Sequence, residues 1–161
     1  MLEYSISPIA WVHNSRHTTE DDDWGGLVSE TCLDGSMPDE SLDGLETYSH
    51  AEIIFNFHLV EDREVVTGAR HPRENPAWPK VGIFTQRARL RPNRLGLSAV
   101  HILRREGRSL FVEGLDAVEG TPVVDIKPVM QEFLPRGPIQ QPGWTHDMLQ
   151  DYWKMPKEGP A

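Results

Sequence analysis

Residues 97–113, LSAVHILRREGRSLFVE, read as two β-strands joined by a tight reversal. Leu97–Leu103 and Ser109–Glu113 carry strand-forming residues, and the connection from Arg104 to Arg108 places Gly107 where a hairpin needs a permissive backbone. The same periodicity continues on either side. In Ala51–His58, Ile53, Phe55 and Phe57 alternate with Ile54, Asn56 and His58, which is the pattern of a strand covered on both faces with a polar end. Ser7–Val12, Leu27–Leu33, Val81–Thr85 and Val123–Ile126 add further short strands. Strands of this length and spacing predict a mainly β protein, a small antiparallel-rich β-barrel, in preference to a doubly wound sheet. One short C-terminal helix is expected over Trp144–Trp153. There Thr145 is placed to cap, Met148, Leu149, Tyr152 and Trp153 stand at helical spacing, and Pro142 and Pro156 bracket the segment. Thr18–Asp23 reads as an acidic loop, Arg70–Pro79 as a proline-rich connector, and Pro156–Ala161 as a frayed tail.

A chain of 161 residues has the length of one ordinary domain, 1–161, with a core over about 7–133 and the helix and tail over 144–161. Cys32 is the single cysteine and forms no internal bridge. Glu3 interrupts any cationic leader, and no apolar run approaches the roughly 18 residues of a membrane helix, so a cytoplasmic protein is expected. The net charge of −9 is unevenly spread. Residues 1–62 hold Arg16 alone against fourteen acids, whereas residues 63–108 hold eleven Lys or Arg against Glu64, Glu74 and Glu106. Two readings follow: a groove for a polyanion on an acidic body, or an acidic first third folded against the basic middle.

The basic residues are densest in Val81–Ser98, VGIFTQRARLRPNRLGLS, where Arg87, Arg89, Arg91 and Arg94 follow a short apolar strand. Pro92 fixes its own φ and pushes Arg91 toward extended geometry, Asn93 tolerates the left-handed region, and Gly96 accepts backbone strain. Crowded cations repel, so a carboxylate or phosphate is expected to complete the cluster. A second polar group lies in Gly114–Pro128, GLDAVEGTPVVDIKP, with a turn at Gly120-Thr121-Pro122 and then a strand expected to place Asp125 and Lys127 on one face and Val124 and Ile126 on the other. That pair reads first as a simple ion pair. Asp116 at a strand end is placed to accept hydrogen bonds from a ligand's hydroxyls or amine. His13 and His17 lack a third partner at metal-site spacing, so no metal is expected, and His50 and His58 read as structural. G-x-S-x-G, the phosphate-binding glycine loop and G-x-G-x-x-G are all missing, which removes the serine-hydrolase, NTPase and Rossmann classes.

Taken together, these motifs resemble the TsaA-like (YaeB-like, TrmO) family of β-barrel proteins. Gly82, Ile83, Phe84, Arg87, Arg91–Asn93 and Leu95–Ser98 match the first signature, and Leu115, Asp116, Gly120–Val123 and Asp125–Pro128 match the second. Gly44–His50, GLETYSH, and the Phe57-His58 strand end fit the family pattern upstream. The chain departs from the pattern at Gln86, Ala88, Arg89, Glu119 and Val129, and it carries Trp24-Gly25-Gly26 where the family usually has Q-P-G.

The resemblance implies a β-barrel that binds S-adenosylmethionine (SAM) without a Rossmann sheet, commonly as a homodimer. It implies methyl transfer to N6 of a tRNA adenosine beside the anticodon. Carried over, the cofactor contacts fall on Trp24, Gly25, Gly26, His58, Leu59, Arg87, Leu97, Gly114, Leu115, Asp116 and Ala117. Arg87 suits the methionine carboxylate, and Asp116 suits ribose or amine. Asp116 and Asp125 are the candidates for a group that takes a proton from, or orients, the acceptor nitrogen. Arg89, Arg91 and Arg94 are the candidates for tRNA phosphate. Two other readings stand beside this one, a non-catalytic SAM-binding or interaction module and a methyltransferase acting on a small molecule or protein.

Overall fold

A computed structural model describes residues 2–157. Its strands are β1 (Ala10–His13), β2 (Val28–Leu33), β3 (His50–Asn56), β4 (Ala69–Arg70), β5 (Val81–Gly82), β6 (Leu95–Glu106), β7 (Ser109–Glu113) and β8 (Pro122–Pro128), and one α-helix, α1, covers Gly143–Leu149. Six of the strands close a barrel in the order β1-β2-β7-β6-β3-β8, with every neighbouring pair antiparallel. The mainly β barrel expected from the periodicity is the fold observed. β6 and β7 form the expected hairpin, Glu106 opposite Ser109, with Gly107 at φ 56° in the turn. Closure falls between β1 and β8, where Ala10 lies opposite Val123 and Ile9 N–H donates to the Val123 carbonyl at 2.8 Å.

Alternation fills the interior. Ala51, Ile53 and Phe55 of β3 face inward with Val100 and Ile102 of β6 and Leu110 and Val112 of β7. Each fully buried aliphatic or phenyl side chain contributes about 1.5–3 kcal/mol, so this lining holds the barrel closed. Gly96 stands opposite Phe55, and a Cβ there would overlap the Phe55 ring. Space, not left-handed backbone, requires this glycine, because Gly96 is absent from the positive-φ positions.

Three local expectations are corrected. Val81–Thr85 is a strand only over Val81–Gly82, paired with Ala69–Arg70 outside the barrel. Ile83–Thr85 winds into a 3₁₀ turn because Gln86 Nε2 donates back to the carbonyls of Arg70 and Val81, at 3.2 and 3.1 Å. In β8 a bulge opposite Ile54/Phe55 makes Val124 the extra residue, so Asp125 pairs with Ile54 while Ile126 packs against the core. The C-terminal helix stops at Leu149, four residues before the expected end. Thr145 does not cap it, since Pro142 is the cap residue and Thr145 Oγ1 donates to the Pro142 carbonyl at 2.6 Å. Of the expected tail, residues 158–161 lie outside the described residues.

Candidate functional site

The loop from Gln86 to Arg94 takes the backbone its residues dictate. Arg91 is extended at φ −109°, ψ 157° ahead of Pro92, and Asn93 and Arg94 both occupy the left-handed region at φ 63° and 51°. The arginines then turn back onto the chain. Arg87 Nη2 donates to the Leu97 carbonyl and Arg91 Nη1 to the Gln86 carbonyl. Arg89 donates to the Thr19 carbonyl at 3.0 Å and lies 3.7 Å from Asp21, while Arg94 donates to the Val60 carbonyl at 2.7 Å and pairs with Asp62 at 2.9 Å. Arg94 thereby holds the turn that carries His58 and Leu59, both exposed. Partial loss of hydration, acting against a backbone hydrogen bond, lowers the His58 pKa below its ordinary value.

Much of the acidic first third meets the basic middle. Arg73 grips both Asp22 oxygens at 2.9 and 2.7 Å, and Arg105 pairs with Asp43 at 2.6 Å. Arg16 organises the acidic loop by donating to the carbonyls of Thr18, Glu20, Asp22 and Asp23. Its guanidinium lies 4.1 Å from the ring centroid of Trp24, which is only 5% exposed. The loop therefore works as a scaffold that presents Trp24-Gly25-Gly26.

Those three residues meet the end of β7 at one mouth of the barrel. Gly114, at φ 88°, turns the chain out of β7, and Leu115 and Ala117 drop into the core on either side of Asp116. One Asp116 oxygen accepts from Ser98 Oγ, on the inner face of β6, and the other accepts from the Tyr152 hydroxyl. Burial first, and then the Asp116 charge, push the Tyr152 phenol well above its ordinary pKa, so it stays a donor; Arg87 and Arg73 oppose that shift from nearby. Beside this cluster opens a cleft of about 350 Å³, lined by Trp24, Gly25, Gly26, His50, Ala99, His101, Glu113, Gly114 and Trp153.

The structure thus brings Trp24, Gly25, Gly26, Arg87, Leu97, Gly114, Leu115, Asp116 and Ala117 to one region. His58 and Leu59 stand in the turn behind Arg94, with no hydrogen bond to Asp116 among the described residues. Asp125 is also set apart. It points outward from β8, with Lys127 Nζ at 2.7 Å and the Ile126 N–H on its other oxygen at 3.0 Å. Glu119 replaces the family's Asp and accepts from Asn14 N–H at 2.6 Å and faces His13 Nδ1 at 3.0 Å, latching the 114–120 loop to the end of β1. Residues missed by sequence reasoning are Tyr152, Trp153, His101 and, as a site group, Ser98. Ser98 carried a signal, since alternation along β6 puts a hydroxyl among inward apolar residues; Tyr152 carried none beyond a helical spacing that misplaced it.

The model of the tRNA-methyltransferase O N-terminal domain matches residues 25–133, more than half of the chain. The chain belongs to this family. Human tRNA (adenine(37)-N6)-methyltransferase is 40% identical over 96 residues, covering 60% of this chain and 21% of that protein. A probable S-adenosyl-L-methionine-binding protein of Methanothermobacter thermautotrophicus is 35% identical over 135 residues, covering 82% of this chain and 94% of that one. The crystal structure of TrmO from Pseudomonas aeruginosa superposes with a TM-score of 0.70 at 25% identity, over 89% of this chain and 62% of the other. The chain therefore spans about a fifth of the human relative and under two thirds of the TrmO chain.

Proposed function

We propose that this protein is a SAM-dependent methyltransferase that modifies N6 of a tRNA adenosine next to the anticodon. The convergence at one barrel mouth of Arg87, Asp116 and the Trp24–Gly26 segment beside a cleft carries this reading. Its volume of about 350 Å³ falls within the range of small-molecule sites. Arg87 and Asp116 stand beside it, a guanidinium for a carboxylate and a carboxylate for hydroxyl or amine. SAM supplies an electrophilic methyl group on a sulfonium. Arg87 and Asp116 bind and orient, and the buried side chains of Trp24, Leu115 and Ala117 keep water from behind them, so the protein's contribution is alignment and charge complementarity.

Asp116 is the better candidate for the group beside the acceptor nitrogen, because Asp125 is committed to Lys127 on the outer face. Arg89, Arg91 and Arg94 are the proposed phosphate contacts, with affinity that falls with salt. The pairing of Arg89 with Asp21 and Arg94 with Asp62 favours a second reading, a SAM-binding module without its own tRNA surface. Among the described residues no helix is long and apolar enough to cross a membrane, and a cytoplasmic homodimer is proposed. Exposure of Leu97 and Leu103 on the outer face of β6 supports the dimer, which sedimentation equilibrium tests.

The deciding experiment incubates the protein with tRNA and SAM carrying a labelled methyl, followed by mass spectrometry of the nucleosides. Label on an adenosine N6 is expected. Binding of SAM without label on any nucleoside would leave the module in its place.

A further inference from the structure

The described chain after Leu149 runs back along the barrel mouth as a strap. Asp23, Trp24 and Gly25 donate their N–H groups to the carbonyls of Asp151, Tyr152 and Lys154, at 3.2, 2.8 and 2.9 Å. The glycines are shaped to this strap: a Cβ on Gly25 would overlap the backbone of Trp153 and Lys154, and one on Gly26 would overlap the Met155 thioether. Tyr152 then reaches Asp116, and Trp153 packs edge-on against Tyr152 with centroids 5.0 Å apart. The Trp153 indole remains 53% exposed while lining the cleft. All of these strap residues lie beyond the 25–133 segment that defines the family domain.

We propose that the strap Asp151–Met155 is a wall of the cofactor site, with Tyr152 as the positioning residue for Asp116 and Trp153 as the surface on which the ligand's purine ring packs. This rests on the SAM reading above. Tyr152 holds one carboxylate oxygen while Ser98 holds the other, which fixes the plane of the carboxylate and leaves its remaining lone pairs for a ligand. An indole with an open face at a cleft is a surface for a planar heteroaromatic ring, and stacking of this kind is sequence- and substituent-tolerant. The strap also takes three N–H groups of the Asp23–Gly25 segment, so a ligand here is recognised by side chains and by the strap, not by those amides.

The test is calorimetry of the full chain with S-adenosylhomocysteine, comparing wild type with Tyr152→Phe, Trp153→Ala and Trp153→Phe, alongside thermal melting of each. Trp153→Ala is expected to bind about tenfold more weakly, at the scale of one lost stacking contact. Trp153→Phe retains a ring and restores most of that loss. Tyr152→Phe is expected to weaken binding about tenfold, the scale of one charge-assisted hydrogen bond. Wild-type affinity in both Trp153→Ala and Tyr152→Phe overturns the wall while the SAM reading stands. Tighter binding in either overturns it too, because the strap would then be a competitor for the site. A wild type that gives no heat with this ligand removes the SAM reading and the wall together.

Discussion

Asp116→Asn probes the centre of the proposed site, since the carboxylate receives Ser98 on one oxygen and Tyr152 on the other. The amide keeps one acceptor and turns the second position into a donor facing a hydroxyl that was itself donating. A hydrogen bond to a charged group contributes about 1.5–3 kcal/mol, and a buried polar group left unpaired costs about 1–3 kcal/mol. One of the two contacts survives by retaining the carbonyl oxygen, so the net loss of stability is about 2 kcal/mol. For a chain of this size that lowers Tm by roughly 4–8 °C. The exchange also removes the only negative charge in the Ser98–Tyr152 cluster, and S-adenosylhomocysteine affinity is expected to fall roughly ten- to a hundredfold. Thermal melting and calorimetry in one buffer read both effects. Asp125→Asn is the control: its partner Lys127 is exposed, and neither Tm nor affinity is expected to move. An Asp116→Asn protein that melts and binds like wild type, or an Asp125→Asn protein that loses more, refutes the placement of the site.

Arg87→Ala is expected to weaken S-adenosylhomocysteine about ten- to a hundredfold while Arg94→Ala changes it little, because Arg94 is engaged with Val60 and Asp62 away from the cleft. Equal losses in calorimetry would mean that the loop acts as a diffuse field. Any tRNA binding is expected to drop steeply between two salt concentrations in filter assays while cofactor binding holds, and Arg89→Ala is expected to reduce the salt slope. Because Arg89 must leave Asp21 to meet phosphate, a wild type without tRNA affinity at low salt favours the binding module. Glu119 has a folded-state pKa lowered from 4.5, first by His13 and then by the Asn14 N–H. A lowered carboxylate pKa stabilises the fold above the unfolded value and loses that contribution as pH falls through the folded one. The Tm difference between wild type and Glu119→Gln is therefore expected at neutral pH and to close as the pH drops below 4.5.

The sequence by itself determined what short-range chemistry controls. Alternation in Ala51–Asn56 and Leu97–Ile102 chose strands and assigned their inner faces, Gly107 placed the hairpin, and Pro92 with Asn93 set the backbone of the basic loop. Each of these depends on residues within one turn or one strand pair. Tertiary structure decided what depends on groups far apart in the chain. Whether Arg73 and Arg89 were free for a polyanion or spent on Asp21 and Asp22 turned on how the acidic loop folds back, which composition leaves open. Tyr152 and Asp116 are thirty-six residues apart, and no local pattern links them. The spacing of Met148, Leu149, Tyr152 and Trp153 pointed to one helical face, yet after Leu149 the carbonyls of Asp151, Tyr152 and Lys154 accept from Asp23, Trp24 and Gly25. A three-turn helix is marginal on its own, so hydrogen bonds from the waiting Asp23–Gly25 loop segment overcome its propensity. That exchange put Tyr152 into the site, and only the closed barrel supplies the segment that makes it.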